Sequence, residues 1–300
     1  MNLIQAGEAA QDALTKGIIE IVLKDSPILQ ALPFVAIEGN TLTYWQEDVV
    51  ASLVAWHAAG GAWTAVSPSA TEQTATLKIL GGDIDFDNYT KRARPSVEDY
   101  QGALVELKAK AMRHEFENCF CNGDTGVDAN QFVGLYKTLH GTDQEFFADG
   151  AGSAGAALTL SLLDQLIDKV KGGPPELILM SPRSRRDINK LVRASGSVLE
   201  TKPGRFGEFI QVYNGIPIGV SDWVRDDYLV GTDDNCSAIF AFQMGEGALA
   251  GVSTPELIQT EVIGNLETAD ANRIRIKWYV SLALFSLPRA AMLAGVMPVA

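Results

Sequence analysis

The densest run of potential metal ligands is DIDFDN, residues 83–88. Three carboxylates at alternate positions begin like a calcium loop, which needs glycine at its sixth position and a bidentate glutamate at its twelfth. Those positions hold Asn88 and Arg94. The alternation instead predicts a strand with Asp83, Asp85 and Asp87 on a solvated face and Ile84 and Phe86 on the other. Asp226-Asp227 and DDNCS (233–237) offer oxygens to a cation, but such clusters are first of all turn formers. His57, His114 and His140 fall in three different elements with no shared spacing. We expect no metal and no cofactor.

Nucleophiles fare no better. AGSAG (151–155) has Ala151 where a hydrolase elbow needs its first glycine, and no strand precedes it, so it reads as a flexible hinge. GEGALAG (245–251) misses the dinucleotide fingerprint by one residue and opens no helix; there is no P-loop. Cys119, Cys121 and Cys236 are too few for a disulfide framework, and C-x-C lacks the second pair a zinc site needs. They read as reduced thiols in a cytosolic setting. SPRSRRDINKLVR sets Arg185, Arg186, Lys190 and Arg193 on one helix beside Asp187. This pattern suits a solvated helix exchanging salt bridges with acidic neighbours better than a nucleic-acid face. No catalytic residues are expected.

The bulk numbers narrow the classes further. Three hundred residues suit one large domain or two ordinary ones, and 47% hydrophobic against 20% charged residues is enough for a sizeable core. A net charge of −13 argues against general nucleic-acid binding and against docking on an anionic membrane. Glu8 and Gln11 interrupt any apolar run at the start, so no signal peptide is expected. Pro288 and Arg289 break the apolar C-terminal segment short of a membrane span, which points to buried strand.

The elements follow in order. Residues 1–32 form an arm with a helical pattern closed by Pro27 and Pro33; Val35, Ile37, Leu42 and Tyr44 suit strands around a Gly39-Asn40 turn. A helix over 97–122 is predicted to be capped by Ser96 with Asp99, to show a stripe of Val97, Tyr100, Leu104, Leu107 and Ala111 widened by Val105, Met112, Phe116 and Phe120, and to stop near Asn122-Gly123. At 1.5 Å per residue it would be a rod of about 39 Å. DGAGSAGAA marks a soft boundary, after which helix 160–171 (cap Thr159), strand ELILMS, a helix after Ser181 and strands GIPIGVSDWV and AIFAFQMG alternate. Two long strands, 256–263 and 272–287, flank the turn GNLETADA.

One stretch fits none of this. Between Asp48 and Glu72 there is no charge and no steady period, yet it holds Trp56 and Trp63. A loop this long is evidence of a job.

The motifs LPFVAIEGNTLTY (32–44), LKILGGDIDFDNY (77–89), FENCFCNGD and QFVGLYKTL, with weaker LILMSPRSRRDINKLV and NGIPIGVSDW, occur in an order and spacing that resemble phage major capsid proteins of the HK97-like fold, nearest the group labelled gp7-like. The resemblance spans nearly the whole chain. It implies an α+β fold with an N-arm (1–38), an extended E-loop (39–82), a P-domain (83–154) with a spine helix at about 97–122, an A-domain (155–255), and a strand of the P-domain returning to the A-domain (256–300).

It implies that Trp45, Val54, Trp56, Trp63 and Val66 on the E-loop and Ile18, Ile21 and Val22 on the N-arm lie at subunit interfaces, which answers where the loop's tryptophans go. Two arms of about 20 residues reach about 65 Å, and aromatic residues anchor interfaces. The implied partners are copies of the chain in hexamers and pentamers, with a separate scaffolding protein, a portal and a decoration protein, and packaged DNA by weak non-specific proximity across an acidic inner wall. The implied location is the virion, assembled in the host cytoplasm, with no membrane. The alternative is an encapsulin-type shell enclosing a cargo enzyme. Some relatives carry a long N-terminal scaffolding region, whereas this chain reaches its arm almost at once.

Some members of the fold join a lysine on the E-loop to an asparagine of a neighbour. Here no lysine lies between Lys24 and Lys78. Denaturing gels of purified particles should therefore show a single 32.2 kDa band and no ladder of multimers.

Overall fold

The computed structural model describes residues 2–5, 13–24, 26–47, 56–60, 70–89, 97–196, 198–204 and 209–299. Ser96, and the side chains of Val97, Asp99 and Tyr100, lie outside that set.

Two sheets share one long helix. The first sheet has the order β1-β13-β14-β4, from β1 (Phe34–Ala36), β4 (Lys78–Asp87), β13 (Leu249–Asn265) and β14 (Ala271–Leu284). The second has nine strands. Its main path runs β5 (Glu145–Phe147), β15 (Ala290–Met297), β12 (Asp233–Phe242), β7 (Leu177–Met180), β10 (Ile216–Val220), β9 (Phe209–Tyr213) and β8 (Glu200–Pro203). Two short strands, β6 (Ala156–Ala157) and β11 (Tyr228–Val230), pair with β15 and β12. The apolar C-terminal segment supplies β14 and β15, both largely buried. The strand expected at 256–263 starts earlier, at Leu249. Its ladder continues past Pro255 through an irregularity between Ser253 and Ile258, where Leu257 takes a φ of 51°.

The spine helix, α3 (Val97–Asn122), packs against β4 and against α1 (Ala13–Lys24), and the short helix α4 (Leu135–Leu139) lies against it. Its buried stripe is Val105, Ala109, Met112, Phe116 and Phe120, not the stripe through Leu107 and Ala111. Leu107 is 65% exposed. The helix turns its larger side chains inward, because the methionine and two phenylalanines bury far more area than one leucine and an alanine. Phe116 stacks on the fully buried Trp278 of β14 with centroids 4.8 Å apart, and Trp278 also meets Phe34 of β1 at 5.7 Å. Phe120 reaches Phe242 of β12 at 6.1 Å. Gly251 of β13 makes room for this joint, since a Cβ there would lie 2.3 Å from the Phe34 ring.

Local expectations shifted in three places. Pro27 does not end the arm but opens a second turn of helix, α2 (Pro27–Ala31), whose cap Ser26 accepts from the Leu29 N–H at 3.3 Å. The strands beside Gly39 do not pair with each other; β1 lies parallel to β13, with Phe34 opposite Gly251. The segment expected to be a soft hinge is wound on Asp149, whose carboxylate accepts from the N–H groups of Ala151, Gly152, Ser153 and Ala154 at 2.7–3.0 Å. Those donors hold the Asp149 carboxyl well below the usual carboxylate range.

Helices α5 (Leu160–Lys169, capped by Thr159) and α6 (Pro182–Ala194, capped by Ser181) cover one face of the nine-stranded sheet. Its other face joins the spine helix and the arm in the main core.

Glu117 is the awkward member of that core. It is 6% exposed, and one carboxylate oxygen has no hydrogen-bond partner among the described residues. Burial pushes its carboxyl above the ordinary range, against smaller opposing effects from Ser26 and Arg113. A raised folded pKa contributes stability that is complete below the unfolded glutamate value and lost as pH rises through the folded one. At neutral pH the ionised group is therefore a cost. Glu117→Gln should raise the thermal midpoint at pH 7.5 by about 2 °C, and calorimetry should show that gain vanishing towards pH 4.

Candidate subunit interface

The uncharged stretch leaves the body through a hairpin. β2 (Thr41–Glu47) pairs antiparallel with β3 (Ala70–Thr76) in unbroken register from Thr41–Thr76 to Glu47–Ala70. Strand alternation puts Leu42, Tyr44 and Gln46 on the inner face and Thr43 and Trp45 on the outer, while Glu47 at the strand's end reaches back to the body.

The inner face is tied to the body. Tyr44 sits on Phe285 with ring centroids 4.8 Å apart, and its hydroxyl accepts from the Leu284 N–H at 3.3 Å. Burial raises the Tyr44 pKa, partly offset by that bond. The Gln46 side-chain amide donates to Leu284 O at 2.8 Å; the Glu47 N–H donates to Phe285 O at 3.0 Å; the Ser286 hydroxyl donates to the Glu47 carboxylate at 2.9 Å. Ala75, Val252 and Ala283 close a small separate core beneath, against Leu42 and Leu77. A cleft of about 460 Å³ remains between hairpin and body, lined among others by Thr74, Thr138, Leu282 and Leu284.

The outer face is left to solvent. Trp45 is 68% exposed, and Trp56, beyond the end of β2, is fully exposed. Val54, Trp63 and Val66 lie outside the described residues. The N-arm expectation needs correction: Ile18 and Val22 are 1% and 0% exposed, packed in the protomer's own core, and have no surface left for a neighbour. Ile21 is partly buried against the same core. Sequence reading missed the anchors Tyr44, Gln46 and Phe285 as a set; the alternation in TLTYWQE was the available signal.

The acidic strand is a structural face. Arg275 holds Asp83 at 2.5 Å and Arg273 holds Asp85 at 2.6 Å across β4 and β14, and these hydrogen bonds lower both carboxyl pKa values. Lys277 pairs with Glu261 of β13. Asp226 accepts from Ser181 and Arg183, Asp227 binds Arg225, and Asp233 accepts from the Gly155 N–H. Among the described residues no three metal-ligand side chains gather. His140 binds Glu145, and His114 faces Trp223. All three cysteines are free and buried; burial pushes the Cys119 thiol up to about 11 and raises Cys121 further. No helix among the described residues is long and apolar enough to cross a membrane.

The sequence pattern of the SU10 major capsid protein family matches residues 4–249. The chain belongs to that family. Its fold resembles the holo-SrpI encapsulin complex from Synechococcus elongatus PCC 7942 (TM-score 0.68, 18% identity, 91% of this chain and 89% of that one). It also resembles the capsid of an empty GTA particle (0.63, 15%, 91% and 90%) and a protein of Microbacterium phage Oxtober96 (0.60, 12%, 91% and 91%). No curated protein matches. The capsid protein is thus a shell-forming component of a phage virion with the HK97-like α+β fold, and copies of it assemble with one another.

Exposure separates the hairpin's two faces energetically. Trp56→Ala should leave the thermal midpoint of the isolated subunit within about 1 °C, because a contact-free surface side chain contributes little. Tyr44→Ala removes a ring contact and a hydrogen bond and should cost about 2–4 kcal/mol by denaturant titration.

Proposed function

We propose that the segment 39–82 is an E-loop that lies across a neighbouring subunit, where Trp45, Val54, Trp56, Trp63 and Val66 are buried between chains. The observation that carries this reading is Trp56: a fully exposed indole beyond a hairpin whose other face is anchored to its own body. Exposed aromatics of this size are costly unless a partner covers them.

Around that contact the chain divides into an N-arm (1–38), a P-domain (83–154) with the spine helix, an A-domain from 155, and a returning segment to 300. We place the last boundary at the start of β13, Leu249, rather than at 255, since that strand belongs to the sheet of β4 and β14. Of the N-arm residues only Ile21 remains an interface candidate. Copies form hexamers and pentamers around double-stranded DNA, with a separate scaffolding protein, a portal and a decoration protein, and the chain performs no catalytic step. An acidic inner wall would repel DNA within the roughly 10 Å screening length at 0.1 M salt. The encapsulin alternative shares the fold, but the family match favours the phage shell.

The experiment is to delete residues 50–69. A folded, soluble monomer that forms no shells, by circular dichroism and electron microscopy, is the expected result. Shells of normal yield, or loss of folding altogether, would overturn the reading.

A further inference from the structure

A sheet that ends on a strand leaves a row of N–H and C=O groups open to any other strand. Proteins guard such edges with short strands, lysine, proline, bulges or a covering element. Of the four ends of the two larger sheets, three follow that rule. β8 has four residues and carries Lys202 and Pro203, while β1 and β5 have three residues each. The fourth end is β4. It runs for ten residues without proline, in unbroken register against β14 from Lys78–Val280 to Asp87–Ala271.

Alternate residues of such a strand aim their backbone groups away from the strand they pair with. Between Lys78 and Phe86 those outward groups have no protein partner among the described residues. Charge does not guard the edge either. Asp83 and Asp85 are drawn across the sheet to Arg275 and Arg273 of β14, away from the open side. Lys78 at the start of the strand spends its ammonium on Ala129 O at 2.6 Å. What lies beside the edge is apolar: Ile79 is 75% exposed, and Lys78–Leu80 share a cavity of about 170 Å³ with Phe116, Cys119 and Phe132.

We propose that residues 49–56 of a second copy of this chain add to that edge as a fifth strand of the four-stranded sheet. The proposal rests on the E-loop reading and says where that loop lands. Strand addition takes its affinity from main-chain hydrogen bonds and its specificity from surfaces that receive alternate side chains. The segment reads VVASLVAW, with no charge, glycine or proline and with three valines, a leucine and a tryptophan, the composition of an added strand. Val50, Val54 and Trp56 then share one face, three large side chains for the apolar surface beside β4.

Charge and reach agree. The carboxylates next to the edge are already paired, so an uncharged strand meets it without leaving an ion unmatched. Ten strand residues span about 33 Å, room for all of 49–56. A copy's own edge is the less accessible one. The hairpin ladder from Thr41–Thr76 to Glu47–Ala70 carries residue 47 about 20 Å from the start of its own β4. The segment that follows residue 47 therefore begins a hairpin's length away from it, and a neighbour's β4 is the edge that assembly can bring to it.

The test compares native shells, made in cells with the other head proteins of the phage, with the isolated subunit. By hydrogen-exchange mass spectrometry the outward amides of 78–87 should exchange at least about tenfold more slowly in shells. The identity of the added strand is read separately. Ile79→Cys is combined in turn with cysteine substitutions along the segment, from Val49→Cys to Trp56→Cys, and the shells are oxidised under copper catalysis. At least one combination should give a ladder of disulfide-linked multimers, with peptide mapping joining position 79 of one copy to the segment of another. The native cysteines are buried and supply little background. Equal exchange in shell and subunit overturns the inference, and so does a protected edge with no coupling between copies at any position of 49–56. Either failure, beside a folded 50–69 deletion that makes no shells, would mean that the E-loop crosses to a neighbour but lands elsewhere.

Discussion

The aromatic joint at the spine helix is the constraint on which the rest of the molecule depends. Trp278 from the four-stranded sheet stacks on Phe116, Phe34 closes it from β1, and Phe120 carries the contact on to Phe242 in the nine-stranded sheet. Each such side chain contributes about 1.5–3 kcal/mol by leaving water, and together they fix both sheets to one helix. The body is therefore complete without the uncharged loop. A protomer that already has its core is free to carry large apolar side chains on a limb.

The hairpin is the hinge point between those two economies. Its inner face follows folding within the chain, through Tyr44 on Phe285 and the bond from Gln46 to Leu284. Its outer face does not, and Trp45 and Trp56 stand in water. Charge explains why this stretch carries none. With an excess of 13 negative charges per copy, close approach of two copies is least costly where both surfaces are neutral or where signs are opposed. The loop from 49 to 71 offers the first condition.

Much of the architecture was legible in the sequence, and the failures have physical causes. Caps and breakers gave α5, α6 and the end of the spine helix, because Thr159 and Ser181 satisfy local N–H groups whatever the tertiary context. The buried face of the spine helix was misjudged because periodicity alone allows two overlapping stripes, and only packing on Trp278 selects the one with Phe116. The parallel pairing of β1 with β13 joins residues more than 200 positions apart, which no local pattern encodes. Ile18 and Val22 carry the same message: an apolar stripe says that a face is covered, not which chain covers it. The DGAGSAGAA turn looked loose because its order comes from a single carboxylate, Asp149. At the candidate interface the tryptophans and the absence of charge were visible, while the anchoring of the opposite face was not.

The most direct measurement is a cryo-electron microscopy map of assembled shells that resolves side chains. The account predicts density for the Trp56 ring enclosed by residues of an adjacent chain, with the β2–β3 hairpin still seated on Phe285 of its own. A map in which that ring points into solvent, or is tucked into the protomer that carries it, would contradict the claim that this chain completes its apolar burial only in the company of its copies.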